Sequence, residues 1–262
     1  MTTDPSLLSE DSKTPPYLVI FLGASNLARA HTALKANIAL SLRPQSVEFL
    51  TAMGPGRGYV AKGGFCNVRY TPIGASGIWD AAKKESARGT RTVALITDIG
   101  SDIMYGVPAE EIVRCLQALF NQLDSMNAQV IVTLIPLDPE RDLNKFYFRI
   151  LRTLYFPKSK IELKEAAKAV KQVDSFLRES ATGKIHPITG LEDFVSMDKI
   201  HYSFWNSHKV WRKLAGGMLQ AFGVPPARPI KRGEMLRSWM DNARCLFFAL
   251  LQGTDNRGRS MY

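Results

Sequence analysis

"YLVIFLGASNLARAHTAL", residues 17–34, begins with six apolar residues in a row and ends with apolar residues returning at helical spacing from Asn26 to Leu34. A strand that is apolar at every position is buried on both faces, as in parallel sheets sandwiched between helices. Gly23, Ala24 and Ser25 carry the chain from one period to the other, and Gly23 reads as the residue that permits a tight turn. In such sheets ligands gather beyond the carboxyl ends of the strands. Ser25 therefore has two readings: a helix cap that accepts from free amides, or a nucleophile presented at the amino end of a helix. Taken alone, capping is the simpler one.

The same rhythm continues outward. Strands are expected at 17–22, 46–51, 91–97 and 129–135, alternating with helical patterns at 26–41, 77–88 and 109–125. Pro108, with Glu110 and Glu111 in the first turn, marks the start of the last of these. A final strand around His186 and an amphipathic helix from about 203 to 222 follow. Strict alternation predicts an α/β fold, a three-layer α/β/α sandwich with a central parallel sheet of the flavodoxin-like kind. Two segments break the pattern. Residues 52–73 form a Gly-rich irregular insertion. Residues 138–183 carry an aromatic patch (Phe146, Tyr147, Phe148, Tyr155, Phe156) and a charged helix over 159–180, expected to cover part of the carboxyl edge of the sheet.

The organisation expected is a loose tail at 1–15, one domain over 16–224, and a basic linker with an amphipathic helix over 225–262. That helix, about 234–252, suits docking, while Lys231, Arg232, Arg237 and Arg244 leave peripheral membrane contact open. With 45% apolar and 22% charged residues, the 262-residue chain has the make-up of a globular protein with a sizeable core. A net charge of +10 favours anionic partners in general. No basic run interleaved with aromatics, zinc knuckle or helix-turn-helix is present, so nucleic acid is not expected as a partner.

No apolar stretch is long enough to span a bilayer, and the amino terminus lacks a signal-peptide pattern, so a cytoplasmic location is expected. Cys66, Cys115 and Cys245, odd in number and widely spaced, suit free thiols. No ligand cluster at metal spacing and no phosphate-cradling glycine loop appear, so neither metal nor cofactor is expected. The composition fixes no oligomeric state.

A second stretch bears on Ser25. "SMDKIHYSFWNSHKVW", residues 196–211, sets Asp198 three residues before His201. A serine hydroxyl is barely ionised at neutral pH and needs a base. That base needs a carboxylate to hold it in one tautomer. Asp and His on one turn supply both, and the chain order Ser, Asp, His is compatible. His208 is the rival base; His31 and His186 read as structural.

Gly23-Ala24-Ser25-Asn26-Leu27, Gly74-Ala75-Ser76-Gly77, Ile99-Gly100-Ser101-Asp102 and Asp198-Lys199-Ile200-His201 together resemble the four blocks of the SGNH (GDSL-type) hydrolase superfamily. The resemblance implies Ser25 as nucleophile, His201 as base and Asp198 as its orienting group. It implies an oxyanion hole from the amides of Ser25 and Gly77, helped by Ser101. Asp102 would order the oxyanion loop, and Asp98 would bond loop amides. The implied activity is hydrolysis of a small-molecule, lipid or glycan ester through an acyl-enzyme. Its alternatives are O-acyl transfer at the same site, or a binding protein that keeps the fold without catalysis.

Two residues depart from the pattern: Ala24 stands where an Asp is usual, and Ser101 where an Asn donates to the oxyanion. Loss of one such donor costs about 2.7–4 kcal/mol of transition-state stabilisation. Arg57, or amides of the Gly54–Gly58 loop, would be the replacement. The α/β-hydrolase reading fails, because it requires Gly-x-Ser-x-Gly at its elbow, and Ser25 is followed by Asn26-Leu27.

Overall fold

Six backbone positions of β1 (Tyr17–Leu22) pair in parallel with β2 (Val47–Ala52) on one side and with β3 (Arg91–Ile96) on the other. The computed structural model describes residues 16–64 and 68–251; the expected tail 1–15, Cys66 and the chain beyond 251 lie outside the described residues. β4 (Gln129–Thr133) and β5 (Ile185–Ile188) extend the sheet, also in parallel, to give the order β2-β1-β3-β4-β5. This is the flavodoxin-like order, in which the winding reverses between β1 and β3 and ligands settle in the crevice at that reversal.

Parallel neighbours need crossover connections. α1 (Ser25–Ser41) joins β1 to β2, and α2 (Ile78–Ser86) leads into β3. α3 (Gly100–Met104) and α4 (Ala109–Ser125) lead into β4. α5 (Pro139–Asp142), α6 (Lys145–Tyr155) and α7 (Leu163–Glu179) lie between β4 and β5, and α8 (Ser207–Ala221) and α9 (Arg232–Leu251) follow.

Alternation along β1 divides the core in two. Leu18, Ile20 and Leu22 pack with Trp79 of α2, Leu116 of α4 and Val173 of α7. Val19 and Phe21 pack on the other face with Leu34 of α1 and with Val210 and Leu214 of α8. Both faces are thus covered, which is why β1 tolerates no polar residue. The expected α/β/α sandwich is the fold observed.

α9 lies along α1, with Met235 buried and the Arg29 guanidinium 4.5 Å from the centre of the Trp239 ring. The linker before it is fastened to the same helix: Asn37 donates to the carbonyl of Arg228 at 2.9 Å, and the Ala227 amide donates to Ser41 Oγ at 2.9 Å.

Three short elements were not anticipated. α3 is too short to display a period. α5 begins at Asp138, whose side chain accepts from the amides of Glu140 and Arg141. The α6 segment reads in sequence as an aromatic patch, with Phe146 76% and Leu154 66% exposed beside the buried Phe148 and Leu151. Within 138–183, α7 is the β4–β5 crossover helix, so α5 and α6 are the additional elements.

Gly23 corrects the turn argument. Its backbone is not left-handed; instead a Cβ there would lie 2.7 Å from Cγ2 of Thr97. The residue is needed for close approach between the ends of β1 and β3.

Candidate active site

Leu22 ends β1 and Thr97 directly follows β3, on either side of the reversal, and one buried phenol joins them. The Tyr59 hydroxyl sits 2.9 Å from the Leu22 carbonyl and 2.8 Å from that of Thr97, and accepts from the Thr97 amide at 3.2 Å. The residues that follow each strand, Ser25 and Asp98, are thereby brought side by side.

Asp98 has a left-handed backbone, φ 63°, which turns its carboxylate toward α1. Its Oδ2 accepts from the amides of Ala24 (2.8 Å) and Leu27 (3.1 Å), and its Oδ1 from Nδ2 of Asn26 (2.8 Å). A helix start needs such acceptors for its free N–H groups, and Ala24, the residue at the cap, has no side chain to offer. The cap therefore comes from 74 residues away, and the Ser25 hydroxyl is released from that duty. The Ser25 and Asn26 amides remain in the first turn, where the helix dipole is positive.

The turn Ser196–Tyr202 supplies the facing groups. It is closed by a bridge between Val195 and Tyr202 and by the Ser196 amide donating to the His201 carbonyl at 2.7 Å. Oδ1 of Asp198 accepts from Ser196 Oγ (2.6 Å) and from the amides of Ile200 (3.1 Å) and His201 (2.9 Å). Its Oδ2 lies 2.6 Å from Nδ1 of His201, and Nε2 of that ring lies 2.9 Å from Ser25 Oγ. Burial pushes the Asp198 carboxyl upward, but hydrogen bonds from His201 and Ser196 outweigh it and hold the group well below the usual carboxylate range. An ionised carboxylate only accepts, so Nδ1 carries the proton and Nε2 offers its lone pair to the serine hydroxyl.

Asn26 locks the two halves together. Besides bonding Asp98, its Nδ2 donates to the Ile200 carbonyl at 3.2 Å, and its Oδ1 accepts from the Tyr202 amide at 2.9 Å. Tyr155 of α6 closes over the imidazole, ring edge to ring face, with centroids 6.0 Å apart. His201 is left 7% exposed, which shields its hydrogen bonds from competing water.

No family model matches the chain, and no curated protein matches it. Among solved structures it is similar to the psychrotrophic esterase EstA from Pseudoalteromonas sp., inhibited by monoethylphosphonate, with a TM-score of 0.43 and 10% identity over 78% of this chain and 97% of that one. It is also similar to TesA, with a TM-score of 0.45 and 13% identity over 78% of this chain and 98% of that one. Both are distant likenesses in the course of the backbone.

The remaining sequence candidates are dispersed. Ser101 stands in the wall of a cavity that opens at Ser25. Gly77 borders a different hollow, with His31, Phe49 and Thr51, and does not line the Ser25 cavity. Arg57 is buried, donates from Nε to the Thr71 carbonyl at 3.0 Å and lies over the Tyr70 ring. Nor does Arg57 line that cavity.

Asp102 accepts from the amides of Tyr59 (2.6 Å), Val60 (3.1 Å) and Ala61 (2.8 Å), so it fastens the Gly-rich segment to α3. Burial raises its carboxyl above the usual carboxylate range, and those amides offset only part of the rise. His208 sits on α8 near Arg232 and Arg212, His186 bonds Gln129, and His31 bonds Thr51.

No group of three or more His, Cys, Asp or Glu among the described residues is placed to hold a metal ion, and Cys115 and Cys245 are free thiols. No helix among them is long and apolar enough to cross a membrane. Sequence reasoning assigned Asp98 only to loop amides and gave Asn26 no task. Polar residues within four positions of the ends of β1 and β3 were the available signal for both.

Proposed function

We propose that this chain is a serine ester hydrolase, a divergent member of the SGNH type. The supporting observation is the unbroken hydrogen-bond chain from Ser25 Oγ through His201 to Asp198, 2.9 and 2.6 Å long. Ser25 Oγ attacks the ester carbonyl while Nε2 of His201 takes its proton, and Asp198 stabilises the resulting imidazolium. Collapse breaks the bond to the alkoxy oxygen, which leaves as alcohol with the proton from His201. Water, deprotonated by the same ring, then attacks the acyl-enzyme, releases the acid and restores the serine.

The oxyanion is met by the Ser25 amide at the positive end of α1, with the Ser101 hydroxyl donating from the cavity wall. Ser101 Oγ has no other hydrogen-bond partner among the described residues, so it is available for this. Gly77, which borders another hollow, is not needed for this assignment.

Hydrolysis of p-nitrophenyl butyrate by the parent and by Ser25→Ala tests the reading. Removal of the nucleophile is expected to lower kcat by roughly 10⁴-fold or more, and a fluorophosphonate is expected to label Ser25 in the parent alone. Equal rates in the two proteins would refute it. Ester turnover in the presence of added alcohols, scored for new esters, distinguishes hydrolysis from acyl transfer.

A further inference from the structure

The cavity that begins at Ser25 runs under α6 and α7 and has a volume of about 100 Å³. Its walls are formed by Ile103 of α3, Leu134 after β4, Phe148, Leu151 and Phe156 in and after α6, and Val170 of α7. All six are buried. Of the charged residues on its lining, Asp98 and Lys199, the first is fully engaged at the start of α1. Away from the polar residues around Ser25 the walls are hydrocarbon, so the group that suits that part of the cavity is hydrocarbon. Because Ser25 lines the same cavity, a group held in it would be joined to the atom under attack.

We infer that this cavity is an acyl-chain pocket closed at a fixed depth, and that the substrates are esters of short straight-chain acids of about four carbons. The inference rests on the hydrolase reading for its mouth, and on the cavity alone for its length. An apolar cavity of about 150 Å³ accommodates the six carbons of benzene. By the same proportion, the void here holds about four.

Each methylene that enters apolar surroundings strengthens binding about fourfold. One that does not fit must displace packed side chains, a penalty of roughly five- to 150-fold. The depth is set by α6 and α7, which close the far side of the pocket. Chain-length selectivity is therefore encoded in Phe148, Leu151, Ala166 and Val170, not in the residues around the serine.

The test is kcat/KM for p-nitrophenyl acetate, butyrate, hexanoate, octanoate and decanoate, with three variants. The parent is expected to improve about fourfold per methylene up to butyrate and to fall at least about tenfold by octanoate. Leu151→Ala, which deepens the pocket, is expected to move the optimum to longer chains. Ala166→Leu, which fills it, is expected to move the optimum to acetate; far-ultraviolet circular dichroism checks that each variant is folded.

Calorimetric binding of butyrate and octanoate to the Ser25→Ala protein reads the pocket without turnover, with butyrate expected to bind more tightly. A rate that climbs through decanoate, or octanoate binding more tightly than butyrate, would overturn the pocket. Turnover that survives Ser25→Ala would instead overturn the hydrolase reading while the binding series still judged the pocket.

Discussion

Replacing Asn26 by alanine removes the one side chain that touches the start of α1, the Asp98 carboxylate and the Ser196–Tyr202 turn at once. The loss leaves the Tyr202 amide, on a 4% exposed residue, without an acceptor, and the Ile200 carbonyl without its donor. A buried polar group left unpaired costs about 1–3 kcal/mol. The Ile200 carbonyl is half-buried and regains some water, so the sum is about 3 kcal/mol. For a domain of this size that corresponds to a Tm lower by about 6–12 °C.

The turn also carries His201, and a displacement of the imidazole by about 1 Å lowers turnover by about 10²-fold. Asn26→Asp keeps an acceptor for Tyr202 but sets a second carboxylate against Asp98, so its loss of stability should shrink as the pH is lowered. The measurements are thermal unfolding and kcat for a short ester, side by side. An Asn26→Ala protein with unaltered Tm and unaltered kcat would refute the claim that this amide positions the base.

Gly23→Ala places a methyl 2.7 Å from Thr97 Cγ2 and 3.0 Å from Leu27 Cδ2, and is expected to cost about 1–3 kcal/mol in chemical denaturation. Thr97→Ser, which deletes that methyl, should restore much of the loss in the double variant and so report on the contact itself. His31 is pushed down to about 4, first by burial and then by Lys35. The unfolded chain therefore takes up this proton first, and stability is lost as the pH falls from about 6.5 to about 4. His31→Gln should reduce that acid loss by about 2–3 kcal/mol at pH 4, seen as a flatter profile of Tm against pH.

Much of the sandwich is legible because β1 is apolar at all positions and must be covered twice, and because α4 and α8 keep one clear apolar stripe. The turn that carries Asp198 and His201 is legible for a different reason: it is local, and both groups are read from one short string. Pairing across distance was read for Ser25 with His201 through the resemblance alone, and was missed elsewhere. Nothing near Ala24 indicates that its missing carboxylate has a counterpart in Asp98, whose engagement depends on a left-handed backbone after β3. Gly77 occupies the place in the chain that the motif suggests, yet the path of the Gly-rich segment, set by Asp102 and Tyr59, brings it to another hollow. α6 was hidden because exposed Phe146, Ile150 and Leu154 sit among buried Phe148 and Leu151, so the segment reads as an aromatic patch.

The hydroxyl of residue 25 and the ring of residue 201 meet across 176 positions of chain, and nothing short of the finished sheet with its crossovers holds them together. A refolding chain can therefore regain helical signal early and still lack a base within reach of its serine. Recovered reactivity of that serine toward a fluorophosphonate would then clock the last step of assembly, a built-in stopwatch for the complete fold that no spectroscopic label has to supply.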